Sequence, residues 1–178
     1  MTKNNKVIFI ILHIVAWIIF VGLSIEAGGL IVNFIFSVYN PEVVPRLYQK
    51  LDLSEMFRRS KWAFFGMYGF ILLISVLKAY LFYLLVWLLI KLDLSNPFSS
   101  SVSDRIATIS YYTFSIGIIS YIARQVARNL QHHGYEVNKL NEFWGDSQAF
   151  ILMAAVIYVI GSIFKRGVEL QQENDLTV

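Results

Sequence analysis

The sequence predicts an all-α polytopic membrane protein, a bundle of four transmembrane helices, and three observations carry that prediction. Four apolar runs stand out: Val7 to about Phe36, Trp62 to Ile90, Ile106 to Ala123, and Ser147 to Phe164. Each approaches or exceeds the ~20 residues that a helix needs to cross ~30 Å of hydrocarbon. None alternates with the period of two that a barrel strand requires, and backbone groups in lipid must bond within their own segment, which leaves helices. Composition agrees, with 57% of residues hydrophobic and 15% charged, against about a quarter charged in globular proteins.

With their polar flanks the helices are expected at about 7–36, 62–90, 104–128 and 147–166, within one membrane domain spanning 1–178. Lys3 and Lys6 ahead of the first run resemble the n-region of a signal peptide, and Ala27 with Gly29 loosely mimics a cleavage site. Val7 to Ile25, however, is 19 mostly apolar residues, longer than the usual h-region of about 7 to 15, so the run is expected to be retained as a helix. The first two runs are long enough to tilt or to project beyond the membrane.

The connections differ in kind. Residues 37–61 open with the turn signals Tyr39-Asn40-Pro41 and Pro45, then mix Leu47, Leu51 and Phe57 with charges. Such a segment is expected to lie on the membrane surface as a short amphipathic helix. Asn96-Pro97 marks a short turn, after which Ser101 and Asp104 have the spacing of a capping box that opens the third helix. The third connection is polar and contains His132-His133-Gly134, with Asp146 or Ser147 placed to cap the fourth helix.

Composition also narrows the function classes. The absence of cysteine excludes disulfides, thiolate metal sites, thiol catalysis and S-acylation. A formal charge of +3 is small, and its cations sit beside apolar runs rather than in a block. Direct nucleic-acid binding is therefore not expected, and lipid headgroups are the simpler partner. No nucleophile elbow, Walker or Rossmann pattern is present, so the protein is expected to be non-enzymatic and without a cofactor. His132 and His133 are consecutive, face about 100° apart on a helix, and lack ligand spacing, so no metal site is expected. The lone His13 on its apolar run is expected to hydrogen-bond within the bundle.

Charge within the membrane is the strongest generic pointer to function, because an ionised group near the bilayer centre costs at least ~2.5 kcal/mol. Two residues qualify. Lys78 lies near the middle of the second run and Glu26 in the outer half of the first, and their side chains could approach one another or simply reach for the interface. The adjacent Gly28-Gly29 would allow close helix approach or a local break.

On the third helix Ser110, Thr113, Gly117, Ser120 and Arg124 recur at intervals of three and four, forming one polar stripe that belongs inside the bundle. Such a stripe serves close packing, or else lines a polar cavity that leads to Arg124 and Arg128. Tyr111, Tyr112 and Tyr121 could line that cavity or anchor at the interface.

Orientation is not decided by charge. An even number of crossings puts Lys3, Lys6, Lys91, Arg105, Lys165 and Arg166 on one side, and Arg46, Lys50, Arg58, Arg59, Lys61, Arg124, Arg128 and Lys139 on the other. The positive-inside rule leans slightly against cytoplasmic termini, although the Lys-bearing tail of the first helix favours them.

After the fourth run Lys165-Arg166-Gly167 is followed by an acidic tail carrying Glu169, Leu170, Glu173, Asp175, Leu176, Thr177 and Val178. Its last residues could add as a strand or present a carboxylate to a partner, or fray in solvent. The ending Gly167, Glu169-Leu170, Glu173, Asp175-Leu176-Thr177-Val178, together with the Asn96-Pro97-Phe98 turn before the third helix, resembles a family of small bacterial four-helix membrane proteins of unknown function, catalogued under the number twenty-nine seventy-five. That family has no assigned activity. Its genes often lie beside a small Cro-type helix-turn-helix regulator. The resemblance thus implies a protein of the inner (cytoplasmic) membrane with cytoplasmic termini, whose tail and Pro-Phe turn engage such a regulator. The leading expectation is a sensor or tether docking through Glu169 to Val178. The alternative is a small transporter, channel or accessory subunit that uses the intramembrane polar residues. A homo-oligomer and a subunit of a larger membrane complex are both compatible with the sequence.

Overall fold

The computed structural model describes residues 3–40, 51, 53–92 and 98–175. Six α-helices account for nearly all of them: α1 (Lys3–Tyr39), α2 (Ser54–Arg59), α3 (Lys61–Lys91), α4 (Ser100–His132), α5 (Asn141–Trp144) and α6 (Ser147–Asp175), with a 3₁₀ turn at Asn138–Leu140 before α5. No strand occurs among the described residues. Four of the helices, α1, α3, α4 and α6, are long and apolar enough to cross a membrane, and the protein is a multi-pass membrane protein.

The long helices pack in chain order, α1 on α3, α3 on α4, and α4 most extensively on α6. At ~1.5 Å per residue α1, α3 and α4 are about 45 to 55 Å long, well beyond ~30 Å of hydrocarbon. The surplus forms a cap at one end, built from the end of α1, all of α2, the start of α3, the end of α4 and the connection through α5. The end of α3, the start of α4 and the end of α6 lie at the other end.

Two cores follow from this division. The cap core gathers Leu30, Leu51, Leu53, Met56, Phe64, Met67, Tyr68, Ile71, Ala127, Leu140 and Trp144. Its rings interlock, with Phe34 against Tyr68 at 5.0 Å and Phe57 edge-on to Phe64 at 5.0 Å between centroids. Segregation of this many rings from water is a hydrophobic gain that lipid-facing contacts do not supply. The second core lies between α3, α4 and α6 and consists of Leu81, Leu84, Ile109 and Ile116. Outside these cores the apolar side chains of α1 face outward on most sides, Ile18 being 65% exposed, as a lipid-bathed helix requires.

Local structure corrects several expectations. The third spanning helix opens at Ser100, with Ser99 as its cap accepting from the Val102 amide, so the Ser101 and Asp104 capping box does not form. Ser147 is the first residue of α6 and its hydroxyl is buried without a partner. The amphipathic segment is a single short helix, α2, whose Met56 and preceding Leu53 are buried in the cap core. Its apolar side is taken up by protein, and residues 41–50 lie outside the described residues. His13 accepts from the Trp17 indole at 3.2 Å, a bond within its own helix rather than across the bundle. α1 runs unbroken through Gly28, where an added Cβ would meet nothing within 4 Å. Close helix approach is seen between α4 and α6, at Gly117 and Gly161.

Candidate functional site

The two ends of α1 and α3 that enter the cap are clasped by polar groups the sequence reading passed over. Asn33, 1% exposed, donates through its Nδ2 to the Leu51 carbonyl at 3.0 Å. Ser37, one turn on, donates to the Asn33 carbonyl at 2.7 Å, and the Tyr68 hydroxyl donates to the Leu30 carbonyl at 3.4 Å. The available signal was an Asn and a Ser four residues apart inside an apolar run, which places both on one face. The donors of all three side chains find backbone carbonyls, while Asn33 Oδ1 is buried without a hydrogen-bond partner among the described residues.

Lys78 and Arg124, two of the intramembrane candidates, converge on one short piece of chain. Lys78 is half-buried on α3; its ammonium donates to the Phe143 carbonyl at 3.2 Å and lies 5.7 Å from the Phe150 ring centre. Arg124 on α4 donates through Nη2 to the Trp144 carbonyl at 2.7 Å and also to the Gly145 carbonyl. All three carbonyls belong to the end of α5 or to the residue after it. The last carbonyls of a helix lack intrahelical partners and carry partial negative charge, so two cations from two different helices fasten this end.

Glu26 and Asp146 are the carboxylates whose charge reaches Lys78, yet Glu26 and Lys78 do not close an ion pair. The lysine is satisfied by backbone. Arg128 is exposed on α4 beyond this site.

The stripe on α4 faces α6. Ser110, Thr113, Gly117 and Ser120 are all buried. The Ser110 hydroxyl donates across to the Ala154 carbonyl at 3.0 Å, whereas Thr113 donates back to Ile109 at 2.7 Å within α4. A Cβ on Gly117 would come within 2.6 Å of Ile151 Cγ1, 3.0 Å of the Ile151 amide nitrogen and 3.2 Å of the Ser147 carbonyl oxygen. Helix backbones therefore approach here as in small-residue membrane interfaces. Of the tyrosines, Tyr111 and Tyr121 point outward at 60% and 46% exposure, while Tyr112 packs edge-on to Tyr80 at 4.9 Å.

The docking candidates divide. Phe98 meets α6 directly: its ring lies 5.4 Å from that of Phe164, and a Cβ on Gly167 would come within 2.5 Å of its Cδ1. The turn residue and the glycine are thus brought together as one contact. α6 continues past this point to Asp175, with Glu169 paired to Arg166 at 2.9 Å and Leu170 47% exposed. Glu173 lies on the same continuous helix, which makes residues 167–175 a helical extension rather than a frayed tail. Asn96, Pro97, Leu176, Thr177 and Val178 lie outside the described residues.

At the cap end, a groove of about 390 Å³ opens between α2 and the connection after α4, lined by Glu55, Arg59, Tyr135, Glu136 and Lys139 among others. α4 ends there at His132 and the chain turns at Gly134, whose φ of +77° suits glycine, with the Tyr135 amide bonded back to the Leu130 carbonyl at 3.1 Å. Arg59 holds this terminus by donating to the carbonyls of Gly134 at 2.9 Å and His133 at 2.8 Å, with its guanidinium stacked 4.2 Å from the Tyr135 ring centre. This groove does not reach Glu26, Lys78 or Arg124.

A family model described as a protein of unknown function (DUF2975) matches residues 37–178. The match covers α2 to α6 and leaves nearly all of α1 outside. No curated protein and no solved structure matches the chain.

Proposed function

Since the chain belongs to the DUF2975 family, whose function is unknown, we propose that it is a non-enzymatic sensor or tether that holds a cytoplasmic regulator at the membrane through the end of α6. The observation that carries this reading is the continuity of α6. The helix starts at Ser147, which is 0% exposed, and runs without a break to Asp175. At ~1.5 Å per residue it is a rod of about 43 Å that links the cap end to the acidic end.

A displacement of the cap is transmitted along such a rod, since Arg124 and Lys78 fasten the chain immediately before it. Leu170 is exposed on a stretch of helix that also carries Glu169, paired to Arg166, and Glu173. That surface suits the basic face of a helix-turn-helix protein, the partner that the family resemblance implies. In this reading the termini are cytoplasmic and the cap groove faces the opposite compartment, where a signal would engage it. Lys78 and Arg124 are occupied by carbonyls, which favours this reading over transport through the bundle.

The test is affinity purification of the full chain and of a form lacking Gly167 to Val178, with E169Q/E173Q/D175N as a variant that keeps the helix. A regulator that is lost from both altered forms supports docking. If the deletion leaves every interactor in place, the reading is wrong.

A further inference from the structure

At the end of the molecule opposite the cap, α4 and α6 leave between them a groove of about 410 Å³ on the membrane-facing surface. Gly161 on α6 and Ala107 on α4 form its floor, where the two helices are close enough that a Cβ on Gly161 would meet Ile106 Cγ2 at 3.2 Å. Tyr111 and Tyr158 form its apolar end, both more than half exposed, with ring centres 6.5 Å apart. Its other end carries Asp104 on the α4 wall and Lys165 on the α6 wall.

These two opposite charges line one groove yet do not close an ion pair with each other. Both belong to the level where the polar start of α4 and the Lys165-Arg166 pair of α6 mark the edge of the hydrocarbon. Each wall carries one hydroxyl, Thr108 on α4 one turn from Asp104 and Ser162 on α6 one turn from Lys165. The Thr108 hydroxyl donates to the Asp104 backbone carbonyl at 2.8 Å, and the Ser162 hydroxyl donates to the Tyr158 carbonyl at 2.9 Å. Each hydroxyl has thus spent its proton and presents lone pairs to the groove.

We propose that this groove binds a phospholipid whose headgroup carries a primary amine, with the ammonium on Asp104 and the two hydroxyl oxygens, the phosphate on Lys165, and an acyl chain along Tyr111 and Tyr158. The charge pattern selects among headgroups. A quaternary ammonium has no N–H to give to Thr108 and Ser162, and a glycerol headgroup offers no cation to Asp104. A primary ammonium supplies three donors, and the phosphate complements the point charge of a lysine. The bilayer presents such a molecule at this depth, and the tyrosine end of the groove continues into the acyl region.

The experiment is native mass spectrometry of the purified full chain in detergent, titrated separately with phosphatidylethanolamine, phosphatidylcholine and phosphatidylglycerol. Phosphatidylethanolamine is expected to bind at least about fivefold more tightly than either of the others, and D104N and K165Q are each expected to weaken it by about fivefold. K61Q, at the exposed start of α3 away from both grooves, leaves binding unchanged. Equal binding of the three lipids, or a preference that survives both D104N and K165Q, overturns the proposal. Displacement of the lipid by equimolar phosphoethanolamine, which has no acyl chains, assigns the groove to a soluble ligand and overturns it equally.

Discussion

The ring of Phe98 occupies the space that a side chain on Gly167 would fill, a Cβ there falling within 2.5 Å of Cδ1 and 2.6 Å of Cε1. These residues are 69 positions apart in sequence, as the difference of their numbers shows, and they fasten the turn before α4 to the last stretch of α6. Gly167→Leu is expected to destabilise the protein by about 1 to 3 kcal/mol, because the ring must leave its seat on Phe164. Phe98→Ala removes that conflict. Thermal unfolding of the two single variants and the double variant in detergent should show a coupling of about 1 kcal/mol, with the double variant less impaired than the sum of the singles.

Gly117 poses a harder steric problem than Gly167, since two of the atoms facing it are backbone. Gly117→Leu pushes α6 away from α4 and is expected to cost about 3 kcal/mol or more, measured by unfolding of the purified protein. Gly28→Ala, with nothing within 4 Å of the new methyl group, is expected to be neutral or to stabilise α1 by up to about 1 kcal/mol through helix propensity.

Arg124 and Lys78 together fasten three carbonyls at the end of α5. Removing either releases part-buried carbonyls from their partners, so Arg124→Met and Lys78→Met are each expected to destabilise this segment by about 1 kcal/mol. Hydrogen exchange checks this locally: amides of residues 138–150 should exchange faster in both variants, while those of α1 remain as in the parent. Arg124→Lys, with one point of charge in place of a planar fork, should fall between.

The chain contains no cysteine, so a single introduced thiol reports the side on which it lies. In whole cells a membrane-impermeant maleimide is expected to label Glu136→Cys in the cap, and to label Gln172→Cys on α6 only after permeabilisation. The reverse pattern would place the acidic end outside the cytoplasm and remove its proposed partner.

Much of the fold was legible in the sequence because lipid imposes length and polarity on each spanning segment. All four long helices fall on the four apolar runs, and the spacing of three and four put the α4 stripe on one inward face without saying that α6 is the helix it meets. The cap was not legible. Its core draws Leu30, Leu53, Phe64, Ala127 and Trp144 from five separate stretches, and no local period encodes which of them meet. The helix ends also exceeded expectation, since α4 starts earlier at Ser100 and continues to His132 by closing on Gly134, whose left-handed turn is set by one residue. At the site, the reading identified Lys78 and Arg124 as unusual but not their shared target, because backbone carbonyls have no sequence signature. Asn33 and Ser37 carry no signature for a related reason, as they donate to carbonyls of Leu51 and of α1 itself.

The central claim is that the helical end of α6 meets a regulator. A photo-crosslinking residue at Leu170, 47% exposed beyond Gly167, tests this most directly, with Leu152, 72% exposed on the same helix within its apolar span, as the comparison. The account predicts that Leu170 alone forms an adduct with a soluble basic DNA-binding protein, and that E169Q/E173Q abolishes it. Lipid adducts alone at Leu170, or the same protein adducts at both positions, would contradict it.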